Sequence, residues 1–171
     1  MSEVALALGS NMGDSAEILQ GAVTDLSAVE GLTLEAASAV YETDPVGGPD
    51  QAPYLNAVVV GRTTLTGVEL HAATKSIEQA WHRLREVRWG PRTLDIDIVA
   101  LGGEVIDTPD LTVPHPRAHE RAFVLVPWHD AEPQASIPGR GRVVDLLVAC
   151  DASGVRPTDV VLHLQKDPGA A

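Results

Sequence analysis

The sequence is short of lysine, of aromatic residues and of cysteine, and each shortage removes a class of explanation. Two lysines stand beside ten arginines, and 24 acidic residues outnumber 12 basic ones, for a formal net charge of −12 at pH 7. So acidic a surface repels nucleic acid and anionic lipid at long range, which argues against a general nucleic-acid binder. A single cysteine, Cys150, cannot staple a fold; placed after an apolar run it reads as a buried thiol in a reducing cytoplasm. No apolar run approaches the roughly 20 residues of a spanning helix. The start, Met1-Ser2-Glu3-Val4, has neither a basic segment nor a cleavage-site pattern, so export is not expected. What is present suits one soluble domain. The chain has 171 residues, 44% apolar and 21% charged, enough to bury a core without a disulfide or a structural metal. One domain over 1–171 is expected, with the last five residues frayed.

Strand and helix signals alternate along the chain. Residues 4–8 read as a strand stopped by Gly9. Asp14 and Glu17 open an amphipathic helix with Ile18, Leu19, Ala22, Val23, Leu26 and Val29 on one face, ended by Gly31. Residues 32–43 read as one strand, 43–53 as an irregular Pro- and Gly-rich loop, and 54–62 as another long strand. Thr66 and Glu69 form a capping box for a second amphipathic helix that ends near Arg85. A second loop, 86–92, leads into a strand over 93–101, with 104–106 pairing back on it as a hairpin. Residues 44–51 and 86–92 are expected to be mobile when the protein is empty. A short helix is predicted over 120–126, a turn or two of helix over 145–150 and a late strand over 160–164. Strand, helix, strand, strand, helix, strand is the split order of ferredoxin-like α+β folds: an antiparallel sheet with helices on one face, here with extra C-terminal elements.

The sharpest local chemistry is Asp95-Ile96-Asp97 on the predicted strand. Side chains alternate along a strand, so the two carboxylates share one face about 7 Å apart while Leu94, Ile96 and Ile98 pack the other. Such a pair is either a solvated strand face or a holder of hard cations, since Mg²⁺ favours one or two carboxylates completed by water and phosphate oxygens. Arg83, Arg85, Arg88 and Arg92 crowd four of the twelve basic residues into ten positions. On charge alone they read as a solvated helix end. Beside the paired aspartates, with His115 nearby, guanidiniums for phosphate and carboxylates for metal suit phosphoryl transfer. The common phosphate loops are missing from the sequence, and residues 9–13 lack dinucleotide spacing. Tyr54 and Asn56 share a strand face, and with Tyr41, Trp89 and Phe123 they offer stacking faces and an amide to a flat heterocycle.

These stretches resemble one family, the 6-hydroxymethyl-7,8-dihydropterin pyrophosphokinases of folate biosynthesis. The resemblance is carried by Leu8-Gly9-Ser10-Asn11 with Gly13-Asp14, by Tyr41-x-Thr43-x-Pro45-x-Gly47, and by Gln51-x-x-Tyr54-Leu55-Asn56-Ala57. It continues through the unbroken run from Arg88-Trp89-Gly90-Pro91-Arg92 to Thr93-Leu94-Asp95-Ile96-Asp97-Ile98, then Leu111-Thr112-Val113-Pro114-His115-Pro116 and Glu120-Arg121-x-Phe123-Val124-Leu125-x-Pro127. The resemblance implies a ferredoxin-like fold and transfer of pyrophosphate from ATP to the pterin hydroxymethyl group, releasing AMP. It implies two Mg²⁺ held by Asp95 and Asp97, and a pterin pocket of Thr43, Val46, Tyr54, Asn56, Asp95 and Phe123. Glu78, Arg83, Arg85, Trp89, Arg92, Ile98, Thr112, His115 and Arg121 would serve nucleotide and phosphates, with Arg83 and Arg92 joining the aspartates in catalysis. Val46 stands where many members carry Leu. ATP and the pterin are the expected partners of a cytoplasmic monomer, with no nucleic acid and no membrane.

Two rivals stay open at this point. A ligand-sensing domain of the same fold class would bind a heterocycle without chemistry, and does not account for aligned aspartates beside arginines. A Mg²⁺-dependent nuclease or nucleotide hydrolase sits badly with the acidic net charge. The alternation itself is testable by folding alone. Ile96→Asp should bury a charge and destabilise the chain by several kcal/mol, whereas Asp95→Ala and Asp97→Ala should melt close to the parent. Thermal denaturation of the three variants checks this, and an Ile96→Asp protein as stable as the parent would place Ile96 outside the core.

Overall fold

A computed structural model of the chain describes residues 1–11, 14–43, 53–86 and 94–164, with side chains given for all of these except 83–86. Apart from residues 43, 53 and 86, the two expected loops lie outside the described residues, as does the expected frayed end. In order come β1 (Ser2–Ser10), α1 (Ser15–Ser27), β2 (Leu32–Ala37), β3 (Tyr41–Thr43), β4 (Tyr54–Thr63), α2 (Gly67–Glu86) and β5 (Asp95–Leu101). Then follow β6 (Ile106–Asp107), β7 (Thr112–Val113), a 3₁₀ turn (Ala118–Glu120), α3 (Ala122–Ala131), β8 (Ser136–Ile137), β9 (Gly141–Arg142), α4 (Val143–Val148) and β10 (Val155–Pro157).

One antiparallel sheet organises the chain. Its strands run β10-β3-β4-β1-β5, with β2 also paired to β4. β1 lies in the middle because it is apolar on both faces: Val4, Leu6 and Leu8 point one way, Ala5 and Ala7 the other. The first face packs against the apolar stripes of α1 (Ile18, Leu19, Ala22, Val23, Leu26) and α2 (Leu70, Ile77, Trp81), closing the main core around Ala57, Val59, Ile96 and Ile98. The Thr66–Glu69 capping box forms as predicted: the Thr66 N–H donates to Glu69 Oε1 at 2.9 Å and the Glu69 N–H to Thr66 Oγ1 at 3.1 Å. These bonds hold the exposed Glu69 carboxyl below its ordinary pKa.

The expectation of helices on one face is corrected by α3 and α4. Val124, Leu125 and Trp128 of α3 and Val143 of α4 bury a second core with Ala5, Val58, Val60, Val99 and Ala100 on the opposite face. A bulge makes β5 serve both cores. Leu6 pairs with Ile98 but Ala5 with Ala100, so Val99 is the extra residue. Beyond it the alternation is reset, and Leu101 returns to the first core.

Other differences have local causes. The single strand predicted over 32–43 is broken between β2 and β3, where the Ser38 hydroxyl accepts the Val58 N–H at 2.9 Å and the Ala39 N–H turns to Asp130 Oδ2 at 2.7 Å. Residues 104–106 do not return to β5; Ile106 pairs with Val113 of β7 instead. The short helix predicted over 120–126 runs on to Ala131 and carries Pro127 inside it. The late strand is Val155–Pro157 on β3. Residues 160–164 form no strand: the Gln20 amide accepts the His163 N–H and donates to the His163 carbonyl, at 2.8 and 2.9 Å.

The tightest approach in the sheet is at Gly61, where an added Cβ would fall on the Thr33 carbonyl oxygen and 2.9 Å from Leu34 Cα. Both neighbours are backbone and cannot rotate away. Gly61→Ala should therefore cost about 1–3 kcal/mol, read as a lowered midpoint in urea with unchanged slope. A midpoint equal to the parent's would mean that β2 and β4 can part at no cost.

Candidate active site

Among the described residues, α3 and α4 cover only part of the second sheet face. Where α3 ends towards its N-terminus, the strand side chains change from apolar to polar, and the register states why. Ala7 lies opposite Val58 and Asp97, and Gly9 opposite Asn56 and Asp95. Two rows across the sheet thus place Asn56, Asp95 and Asp97 around residues with little or no side chain. Even one methyl on Gly9 would stand 3.3 Å from Asn56 Oδ1.

The space so left is a cavity of about 360 Å³ walled by Thr43, Tyr54, Asn56, Asp95, Asp97, Arg121, Phe123 and Val124, over a floor of Ala7, Leu8 and Gly9. Asn56 is nearly buried, and its amide donates to Thr43 Oγ1 at 2.9 Å. That bond fixes the amide's orientation and ties β4 to β3. Phe123 is 36% exposed, unusually open for a large apolar side chain. It stands at the start of α3 with the Arg121 guanidinium 5.5 Å from its ring centre, so the cavity has one aromatic wall backed by a cation.

A second cavity, about 460 Å³, opens on the other side of β5, lined by His71, Thr74, Lys75, Ile96, Asp97, Ile98, Leu111, Thr112 and His115 among others. Asp97 borders both spaces. His115 is half-buried, and its backbone N–H donates to the Val99 carbonyl at 3.0 Å. Burial pushes its pKa down; Asp97 opposes that shift, while Arg121 and Arg117 add to it. A neutral imidazole follows at pH 7. Its Nδ1 accepts the Arg117 N–H at 3.3 Å, which puts the ring proton on Nε2.

The residues expected to hold the heterocycle come together: Thr43, Tyr54, Asn56, Asp95 and Phe123 all line the first cavity, and Val46 lies outside the described residues. Of the expected nucleotide residues, Ile98, Thr112 and His115 line the second cavity. Arg121 does not; it stands in the wall of the first. Glu78 lines neither, its carboxylate being engaged by the Ile96 N–H and by Lys75. Trp89 and Arg92, and the side chains of Arg83 and Arg85, lie outside what is described. Sequence reasoning missed the floor of the first cavity and His71, Thr74 and Lys75 of the second. The floor had a signal, the alternation of large and small residues in Val4-Ala5-Leu6-Ala7-Leu8-Gly9. Among the described residues no cluster of three or more His, Cys, Asp or Glu could hold a metal by itself. Asp95 and Asp97 are a pair that needs oxygens from elsewhere, the donor set that Mg²⁺ takes with phosphates and water. No helix among the described residues is long and apolar enough to cross a membrane.

Known proteins resemble this chain. Residues 5–133 match the family model described as 7,8-dihydro-6-hydroxymethylpterin-pyrophosphokinase. A 2-amino-4-hydroxy-6-hydroxymethyldihydropteridine pyrophosphokinase of Bacillus subtilis is 50% identical over 122 residues, 71% of this chain and 73% of that one. The protein of the same name from Methylorubrum extorquens is 44% identical over 155 residues, covering 91% and 98%. Among solved structures, a Plasmodium falciparum HPPK-DHPS A437G chain with SDX-DHP superimposes with a TM-score of 0.70 at 15% identity, over 86% of this chain and 45% of that one. At that identity the likeness is one of fold, and this chain spans less than half of the solved one. With the family model covering most of its length and the Methylorubrum extorquens relative matching nearly end to end, the chain belongs to the 7,8-dihydro-6-hydroxymethylpterin-pyrophosphokinase family.

Proposed function

We propose how this chain carries out the reaction of its family, the transfer of a pyrophosphoryl group from ATP to the hydroxymethyl group of 6-hydroxymethyl-7,8-dihydropterin, a step of folate biosynthesis. The pterin takes the first cavity and the nucleotide the second. The observation that carries this division is that Asp97 lines both cavities. The strand part β5-β1-β4-β2, entered in the order β1-α1-β2-β4-α2-β5, is read as ferredoxin-like, and the whole as one domain acting as a cytoplasmic monomer.

In the first cavity the pterin ring stacks on Phe123 and meets Tyr54, while the Asn56 amide, held by Thr43, pairs with the ring's donor–acceptor edge. The hydroxymethyl group is thereby turned towards Asp95 and Asp97. In the second cavity Thr112, His115 and the Ile98 backbone hold the nucleotide, the neutral His115 offering its Nε2 proton. Mg²⁺ bound by the two aspartates and phosphate oxygens, two ions by the resemblance, would neutralise phosphate charge and lower the barrier to loss of the hydroxyl proton. The hydroxyl oxygen bonds to the β-phosphorus as the bond from that phosphorus to the α,β-bridging oxygen breaks; AMP leaves with the electron pair, and the hydroxyl proton passes to solvent water. Arg121, and by resemblance Arg83 and Arg92, meet the charge that remains. No side chain among the described residues is needed as a strong base; alignment and charge supply the rate. The assay that tests the reading is AMP release that requires the pterin. ADP formation, or nucleotide cleavage without pterin, would overturn it and favour a hydrolase.

Asp95→Ala and Asp97→Ala should each lower turnover on the order of 10²–10⁴-fold or more, at about 1.4 kcal/mol per tenfold, while melting within a few degrees of the parent. Full activity in a refolded variant would make the carboxylates structural. Phe123→Ala should weaken pterin binding by about 1 kcal/mol or more and Asn56→Ala by roughly 1–3 kcal/mol, both largely sparing ATP binding. Calorimetric titration of each substrate checks the pair, and unchanged pterin affinity would move the pocket elsewhere.

A further inference from the structure

Glu78 is out of place for a nucleotide contact. It lies on α2 with its side chain only 14% exposed. One carboxylate oxygen accepts the Ile96 N–H at 2.6 Å, and the other accepts from Lys75 Nζ at 2.9 Å. Ile96 is the residue between the two aspartates. Among the described residues β5 is an edge strand whose one sheet neighbour is β1, so an N–H directed away from β1 meets no strand there. A carboxylate fills that role, and a charge-assisted bond this short is among the stronger ones available to a backbone amide. The Ile96 side chain is meanwhile sealed into the core at 2% exposure. Asp95 and Asp97 therefore project from a segment held by the β1 ladder, by a buried side chain and by Glu78.

We propose that Glu78 is a positioning residue: by anchoring the Ile96 amide it holds Asp95 and Asp97 at the spacing that binds cations, and it does not touch the nucleotide. Two like charges on one strand repel, and an edge strand freed on its outer side would let them part. Groups that orient metal-binding side chains in this way commonly govern metal affinity. The inference rests on the assignment of the two cavities above and replaces, for Glu78, the nucleotide contact that the resemblance implies.

The test compares Glu78→Ala, Glu78→Asp and Glu78→Gln with the parent. In the ligand-free, ¹⁵N-labelled parent the Ile96 amide should exchange slowly. In Glu78→Ala it should exchange at least about tenfold faster, and the Mg²⁺ concentration for half-maximal turnover should rise roughly 10–100-fold. KM for the pterin, and ATP affinity measured without Mg²⁺, should stay within about twofold, since neither depends on the anchor. Glu78→Gln keeps an acceptor oxygen and should restore most of both properties. Glu78→Asp keeps the charge but withdraws it by one methylene, and should resemble the alanine variant. Unchanged exchange at Ile96 in Glu78→Ala would overturn the proposal. So would a fall in metal-free ATP affinity with an unaltered Mg²⁺ requirement, the mark of a direct nucleotide contact. Should Glu78→Ala not fold, equal Ile96 protection in the Asp and Gln variants would overturn it as well. A parent protein without pterin-dependent AMP release would reject the functional reading, yet leave the Ile96 anchor measurable in the ligand-free protein.

Discussion

The site depends on the register of β1 between β4 and β5. With Gly9 opposite both Asn56 and Asp95, and Ala7 opposite Asp97, the polar groups of two different strands meet over a floor too small to keep them apart. A slip of one residue would turn every side chain to the other face. It would drive Asp95 and Asp97 into the core beneath α1 and α2. Register is set by burial: Val4, Leu6 and Leu8 fill the first core, while Ala5 is sealed under α3 in the second. The same hydrophobic effect that folds the sheet thus aims the carboxylates.

The second core limits the site from the other end. Val58, Val60 and Val99 continue the strands that carry Asn56 and Asp97, and Trp128 and Leu125 cover them. α3 stops short, and its first turn presents Phe123 and Arg121 as a wall. Among the described residues, one part of that sheet face is therefore core and the other is site. The bulge at Val99 lets a single strand supply both halves and still return Leu101 to the first core.

What the sequence revealed followed from periodicity and local chemistry. The Asp95-Ile96-Asp97 alternation, the shared face of Tyr54 and Asn56 and the Thr66–Glu69 cap are properties of a few consecutive residues, and each is found in the structure as read. What stayed hidden depends on partners distant along the chain. The break at Ser38 arises because Val58 and Asp130 supply hydrogen-bond partners that no local pattern displays. α3 has too little one-sided patterning to disclose which sheet face it covers. Arg121 could not be assigned to a cavity by spacing, because the turn at Ala118–Glu120 decides where it points. By resemblance alone Glu78 belongs with the nucleotide, and its bond to the Ile96 N–H is visible only where α2 meets the edge of β5.

Asp97 has a thermodynamic consequence of its own. A group that borders two cavities makes their occupants energetically dependent on each other, because whatever settles the carboxylate on one side alters the field on the other. Such linkage is reciprocal: the factor by which the first ligand changes the affinity of the second equals the factor in reverse. Cooperativity between two substrates would then need no hinge and no moving domain in this sheet. One residue of β5, shared by both cavities, suffices to write it into the binding equilibria.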